Sequence, residues 1–201
     1  MYNWRKMTPE QRDYVLELRK LERRPWHGPP HRIGETTLYH VTAANYEHKA
    51  IIGTNPERLA EFENKLLDSV SSQDGSILAW CLLPNHYHIL LDTPNVLNVL
   101  AGLGRLHGST SHGWNLEDKT VGRTCWHRAV ERGMRTERHY WVTLNYIHHN
   151  PVHHGYVSRW QEWPFSSAAK YLENVGADVA RQRWQEYPLL DYGKGWDDPA
   201  V

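Results

Sequence analysis

Two histidines separated by one residue, His86 and His88, stand inside the run Leu82-Leu83-Pro84-Asn85-His86-Tyr87-His88-Ile89-Leu90-Leu91. The apolar run reads as a buried strand, where alternate residues share a face, so both imidazoles point the same way and can grip one cation. Two polar rings buried side by side are costly unless something binds them. Because the chain holds 14 histidines in 201 residues, a His-x-His pair can arise by chance, and its surroundings must carry the specificity. The second constellation is Tyr146-Ile147-His148-His149-Asn150-Pro151-Val152. Tyr146 and Asn150 are four apart and share one face of a predicted helix, projecting a hydroxyl nucleophile and an amide oxygen together. Asn150 has a second reading, since asparagine before proline also commonly ends a helix.

A tyrosine hydroxyl has a pKa near ~10, so attack at neutral pH needs a positioned phosphate and nearby positive charge. A cation polarising the scissile phosphate supplies that charge. Two imidazoles and one amide oxygen leave coordination positions for phosphate oxygens and water, which suits Mg²⁺ or Mn²⁺, imidazole favouring Mn²⁺. His148, His149, His153 and His154 raise the thought of a separate zinc site, but adjacent histidines diverge and no Cys-x-x-Cys accompanies them. His40, a lone histidine on the first strand, reads as structural.

These residues need elements to position them. Thr8-Pro9-Glu10-Gln11 opens a helix to about Arg24, with Thr8 as cap and Gln11 completing a capping box. Residues 25–30, rich in Pro and Gly, break it as a linker. A strand over Thr36–Thr42, a helix from Asn55-Pro56 to about Val70, strands Ser76–Leu83 and Tyr87–Asp92, a helix Val96–His107 and a strand Arg123–Val130 follow. This β-α-β-β-α-β order predicts an α+β fold, a ferredoxin-like split βαβ antiparallel sheet with helices on one face and the other available for a site. Thr136 caps a further helix that ends at Asn150-Pro151. Short helices from Trp163-Pro164-Phe165-Ser166-Ser167 to Leu172 and over Asp178–Gln185 complete the chain.

The combination Pro84-Asn85-His86-Tyr87-His88, Tyr146-Ile147-His148-His149-Asn150-Pro151-Val152-His153-His154-Gly155-Tyr156-Val157 and Trp163-Pro164-Phe165-Ser166-Ser167 resembles the single-tyrosine HUH transposases, specifically the IS200-like, REP-associated tyrosine transposases. The resemblance runs from about Thr37 to Tyr171. It implies His86 and His88 as metal ligands, Tyr146 as nucleophile, Asn150 as an extra ligand, and a 5′-phosphotyrosine intermediate in cleaving and rejoining hairpin-bearing single-stranded DNA. Read with the helix and linker signals, the chain divides into an N-terminal helix and linker over 1–32, a catalytic domain over 33–173 and a C-terminal helix with acidic tail over 174–201, and the resemblance implies a monomer or homodimer. Where relatives carry arginines after the first strand, this chain has Ala43-Ala44-Asn45-Tyr46-Glu47-His48-Lys49. Two other readings stay open: a DNA-binding protein that no longer transposes, and a hydrolytic metal nuclease in which water attacks.

Lysine plus arginine equals aspartate plus glutamate, 23 each, so no overall basic excess marks a nucleic-acid binder. The stretch Lys119–Arg138 nevertheless carries Lys119, Arg123, Arg128, Arg132, Arg135 and Arg138 against Glu131 and Glu137, a net +4. That stretch reads as a phosphate-binding surface or simply as a solvated face. Trp126, Trp141 and Trp160 nearby could stack unpaired bases or pack in the core. Glu173–Asp198 holds six acids against three bases, and this tail could cover the site or pack beside it. Two cysteines, no apolar signal segment at the N-terminus and no window approaching the ~18 apolar residues of a membrane span predict a cytoplasmic protein without a membrane partner.

Overall fold

The computed structural model describes residues 8–21 and 36–194. Helix α1 (Pro9–Leu21) starts as a capping box, Gln11 N–H donating to Thr8 Oγ1 and Thr8 N–H to Gln11 Oε1. The expected end at Arg24 and the linker over 25–30 lie outside the described residues.

Strands β1 (Leu38–Ala44), β2 (Ser76–Leu82), β3 (His86–Asp92) and β4 (Val130–Gly133) form one antiparallel sheet in the order β2-β3-β1-β4, the split βαβ arrangement. Helices α2 (Pro56–Ser71) and α3 (Val96–Glu117) lie on one face. There Tyr39, Val41 and Ala43 of β1 and Tyr87, Ile89 and Leu91 of β3 meet Leu59, Phe62 and Leu66 of α2 and Val99 and Leu103 of α3. The opposite face, Ala79, Cys81 and Leu90, receives Leu144, Tyr146 and Ile147 from helix α4 (Glu137–His153). The face expected to be available for a site is thus the one on which α4 sits, and Tyr146 comes with it.

Several boundaries differ from the sequence expectation. Helix α3 continues to Glu117 through Gly108 and Gly113, because Leu103, Leu106, His107, Thr110 and Trp114 keep one face buried at helical spacing. The fourth strand is Val130–Gly133 rather than Arg123–Val130. Cys125 and Trp126 do run beside β1, Tyr46 N–H donating to Cys125 O, but the register slips by one residue before β4 begins: Asn45 faces Trp126, whereas Thr42 faces Val130. Helix α4 passes through Pro151, which lacks only an N–H in the last turn, and closes on Gly155 (φ 73°), with Tyr156 N–H donating to Pro151 O. Phe165–Ser167 pair against the outer edge of β2 instead of starting a helix. Helices α5 (Ala168–Val175) and α6 (Ala177–Glu186) follow.

The ends of α2 and α3 are tied by Arg58, whose guanidinium donates to both Asp118 oxygens (2.6 and 3.0 Å), to Glu117 (2.9 Å) and to Ile51 O (3.2 Å). These bonds hold the Asp118 carboxyl well down, at about 2. Arg58 is buried and Glu117, its other carboxylate partner, is mostly exposed, so Asp118→Ala halves the compensation of a buried charge and is expected to cost about 2 kcal/mol. Urea unfolding checks this, and a loss below ~1 kcal/mol would mean water replaces the carboxylate.

Candidate active site

Strand alternation sends His40 of β1 and His86, His88 and Leu90 of β3 to the α4 face. His86 and His88 rings stand 5.0 Å apart, centroid to centroid, and both are buried. Asn85 fixes the first: its amide N–H donates to His48 O (3.0 Å), so Asn85 Oδ1 faces His86 Nδ1 at 2.7 Å and accepts its proton. In the neutral tautomer that this bond favours, Nε2 presents its lone pair toward Asn150 Oδ1, 3.2 Å away. Two acceptors converge there, while Asn150 Nδ2 is buried without a hydrogen-bond partner. A cation satisfies such a pair directly, so the donor set fits one: two imidazoles and an amide oxygen. Among the described residues no group of three or more His, Cys, Asp or Glu side chains is placed to hold a metal, and no carboxylate or thiolate joins this set.

Tyr146 lies one helical turn before Asn150. Its ring meets His88 edge-on at 5.1 Å and His40 at 6.2 Å. The structure therefore brings His86, His88, Tyr146 and Asn150 into one buried cluster. His40, taken as structural from sequence, stands within it: its Nε2 is 3.1 Å from His88 Nδ1, the nitrogen that orients that ring. His154 was also missed as a neighbour of the site. Its ring is 5.0 Å from His86, and burial first, then the nearby His153, His88 and His48, pull its pKa down to about 4. Spacing could have found both, since His40 shares the even-numbered face of its strand and Tyr146, Asn150 and His154 recur every four residues.

The four late histidines do not cluster. His148 is buried with Nε2 2.9 Å from Ser167 Oγ, while His149 leans on Trp184 and His153 is exposed. Ser167 Oγ accepts the Trp80 N–H (2.9 Å), reaches Trp80 O at 3.3 Å and shares a hydrogen bond with the buried His148 ring. Burial accordingly pushes its pKa down to about 3. The unfolded chain takes up this proton near pH 6.5 and the folded chain does not. Stability is therefore expected to be intact above about pH 6.5 and to fall toward pH 3, by up to about 1.4 kcal/mol per pH unit for this residue. Thermal melts of wild type and His148→Gln across that range test it; equal slopes would acquit His148.

The arginines divide. Arg123 donates to Asp118 (2.7 Å) and Asn115 (2.9 Å) at the end of α3, a structural position on the far side of the sheet from Tyr146. Arg128, Arg132, Arg135 and Arg138 are exposed, and Arg132 pairs across from His40, on the site face. Trp126 is core, stacked on His107 at 4.1 Å and on Phe62 at 5.1 Å. Trp141 packs against Tyr187 and under Arg183. Trp160 lines a cavity beside α4.

The C-terminal tail packs on the site. Tyr192 reaches the Thr143 hydroxyl and lies 5.7 Å from the Tyr146 ring. Gly193, at φ 82°, is laid so close that a Cβ there would stand 2.2 Å from Tyr146 Cε2.

A split βαβ sheet thus presents paired histidines to a tyrosine on the covering helix. The family model described as "Transposase IS200 like" matches residues 35–150, and the chain belongs to that family of enzymes. A candidate REP-associated tyrosine transposase of Haemophilus influenzae is 26% identical over 140 residues, covering 65% of this chain and 78% of the relative. The REP-associated tyrosine transposase of Escherichia coli K12 is 32% identical over 92 residues, 45% of this chain and 53% of the relative. Among solved structures, a REP-associated tyrosine transposase bound to a REP hairpin superposes with a TM-score of 0.57 at 19% identity, covering 81% of this chain and 89% of that one, a likeness of fold. Cys81 and Cys125 are buried and form no disulfide, and no helix among the described residues is long and apolar enough to cross a membrane.

Proposed function

We propose that this chain cuts and rejoins single-stranded, hairpin-bearing DNA in the cytoplasm, with Tyr146 as nucleophile. The observation that carries the reading is the meeting of Tyr146 with His88 at 5.1 Å beside the converging His86 and Asn150 acceptors. His86, His88 and Asn150 would hold Mg²⁺ or Mn²⁺, which when bound polarises the scissile phosphate and supplies the charge a phenol needs. The Tyr146 oxygen attacks phosphorus and loses its proton. A new P–O bond forms to tyrosine, the P–O3′ bond breaks, and the 3′-oxygen leaves with a proton. One ester replaces another, so a later 3′-hydroxyl reverses the step without ATP. Arg128, Arg132, Arg135 and Arg138 form the surface along which the DNA backbone runs; Arg123, held by Asp118, does not belong to it. The REP hairpin of the structural relative supports DNA with a foldback as partner, acting on a monomer or homodimer.

The test is to incubate purified protein and labelled hairpin DNA with Mn²⁺ or Mg²⁺ and resolve the products on a denaturing gel. A covalent protein–DNA adduct that disappears with chelator is expected. Cleavage without an adduct would mean that water attacks, and binding without cleavage would mean a DNA-binding protein that no longer transposes.

The tail adds a prediction. Deletion of residues 189–201, or Gly193→Val, removes or dislodges the backbone laid on Tyr146, and adduct formation is expected to quicken several-fold. A slower reaction would mean that Tyr192 and Gly193 hold the nucleophile in place.

A further inference from the structure

Two imidazole nitrogens beside the active site are buried and have no hydrogen-bond partner among the described residues: Nδ1 of His48 and Nε2 of His154. They come from different elements. His154 caps the end of α4, one turn after Asn150 and two turns after Tyr146, with its ring 5.0 Å from that of His86. His48 belongs to the loop after β1. Burial first, then His153, His88 and His48, disfavour the charged form of His154, which sets His48 in its neighbourhood. The His48 loop is strained and pinned. Glu47 (φ 57°) and His48 (φ 51°) are consecutive non-glycine residues in the left-handed region, a costly conformation that persists only where the surroundings impose it. Here Glu47 N–H donates to His127 Nε2 (3.3 Å), His48 N–H to Asn45 O (3.0 Å) and Asn85 Nδ2 to His48 O (3.0 Å). Asn85 also fixes the His86 ring, so His48 is held in register with the histidine pair. A buried polar atom without a partner is destabilising, and a strained backbone that places one beside a reactive centre points to a ligand that satisfies it.

From this arrangement we infer that His48 and His154 together grip one phosphate of the strand segment that leaves with the 3′-hydroxyl, an inference that rests on the function proposed above. Tyr146, Asn150 and His154 follow one another at single-turn intervals, about 6 Å apart along the helix axis. A displacement at phosphorus runs in line, with the nucleophile opposite the leaving group. Tyr146 stands on one side of the His86–Asn150 pair, so the leaving 3′-oxygen faces the other side, where His154 and His48 stand. A neutral imidazole can carry its proton on the orphaned nitrogen and donate it to a phosphate oxygen. Two rings from two elements then make a two-donor clamp. The clamp holds the 3′ end of the cut strand without a covalent bond, which a later reversal of the step requires.

The experiment starts from foldback oligonucleotides selected on the full chain for adduct formation, which also locates the cut. Each linkage on the 5′ side of the cut is then replaced in turn by an uncharged methylphosphonate. Affinity is measured for Tyr146→Phe, which binds without cutting, and for Tyr146→Phe combined with His48→Ala or His154→Ala. One linkage is expected at which the methylphosphonate weakens binding to Tyr146→Phe by about tenfold, the scale of a hydrogen bond to a charged group, and by less than about twofold once either histidine is gone. Mn²⁺ affinity of His154→Ala, by calorimetry, is expected to stay within about threefold of wild type. If no linkage shows a loss that depends on the histidines, the clamp is overturned and the strand-cutting reading stands. A loss of Mn²⁺ affinity of about a hundredfold in His154→Ala also overturns it, making His154 a ligand of the cation. Failure of every oligonucleotide to form an adduct overturns the strand-cutting reading, and the clamp with it.

Discussion

Tyr146→Phe is expected to abolish the covalent adduct and to lower strand cleavage by on the order of a thousandfold or more, the scale seen when a catalytic nucleophile is removed. Hairpin affinity should stay within about twofold, because the ring that packs against His88, His40 and Tyr192 is kept and only a hydroxyl is lost. Denaturing gels and equilibrium binding on the same preparations separate the two effects. Cleavage that persists in Tyr146→Phe would move the nucleophile elsewhere, to water or another side chain. Loss of folding is not expected, since the change adds no volume and the buried phenylalanine ring remains apolar.

The second large effect concerns the histidine pair. His86→Ala and His88→Ala should each weaken Mn²⁺ binding, measured by titration calorimetry, by at least about a hundredfold, beyond the roughly 10–100-fold typical when only a group behind a ligand is changed. His40→Ala, which acts on the cation through His88 Nδ1, is expected to cost about tenfold. Both alanine variants should remain folded, because each removes a buried polar ring whose placement is costly without a bound partner. Equal Mn²⁺ affinity in His86→Ala and wild type would assign the cation to other groups, His88 with His154 being the next nearest imidazoles.

Much of the architecture was legible because each element obeys a local rule. The two-residue period of β3 put His86 and His88 on one face, and the four-residue period of α4 joined Tyr146 to Asn150. Apolar spacing and Asn55 and Thr136 as caps located α2 and α4 to within a residue or two. The errors fall where a local rule met a tertiary one. Arg123 to Val130 looks like a strand by composition, yet only an isolated bridge at Trp126 pairs there, Trp126 stacks on His107, and the regular strand begins at Val130. The helix expected to end at His107 continues through Gly108 and Gly113, because the buried stripe reaching Trp114 outweighs two glycines at about 1 kcal/mol each. Arg123 looked like a member of a basic surface until Asp118, close in sequence but brought to it by the end of α3, claimed its guanidinium.

The sequence by itself determined the element order, the split βαβ topology it implies, and the pairing of His86 with His88 and of Tyr146 with Asn150. These follow from short-range periodicity, which needs no knowledge of distant residues. Tertiary structure alone decided that α4 lies on the histidine face of the sheet, that the His40 ring bonds His88 across two strands, and that Gly193 comes to rest on Tyr146. Those contacts link residues tens of positions apart, and which of them form depends on how the whole apolar surface of each helix is buried against the sheet. No local spacing encodes that.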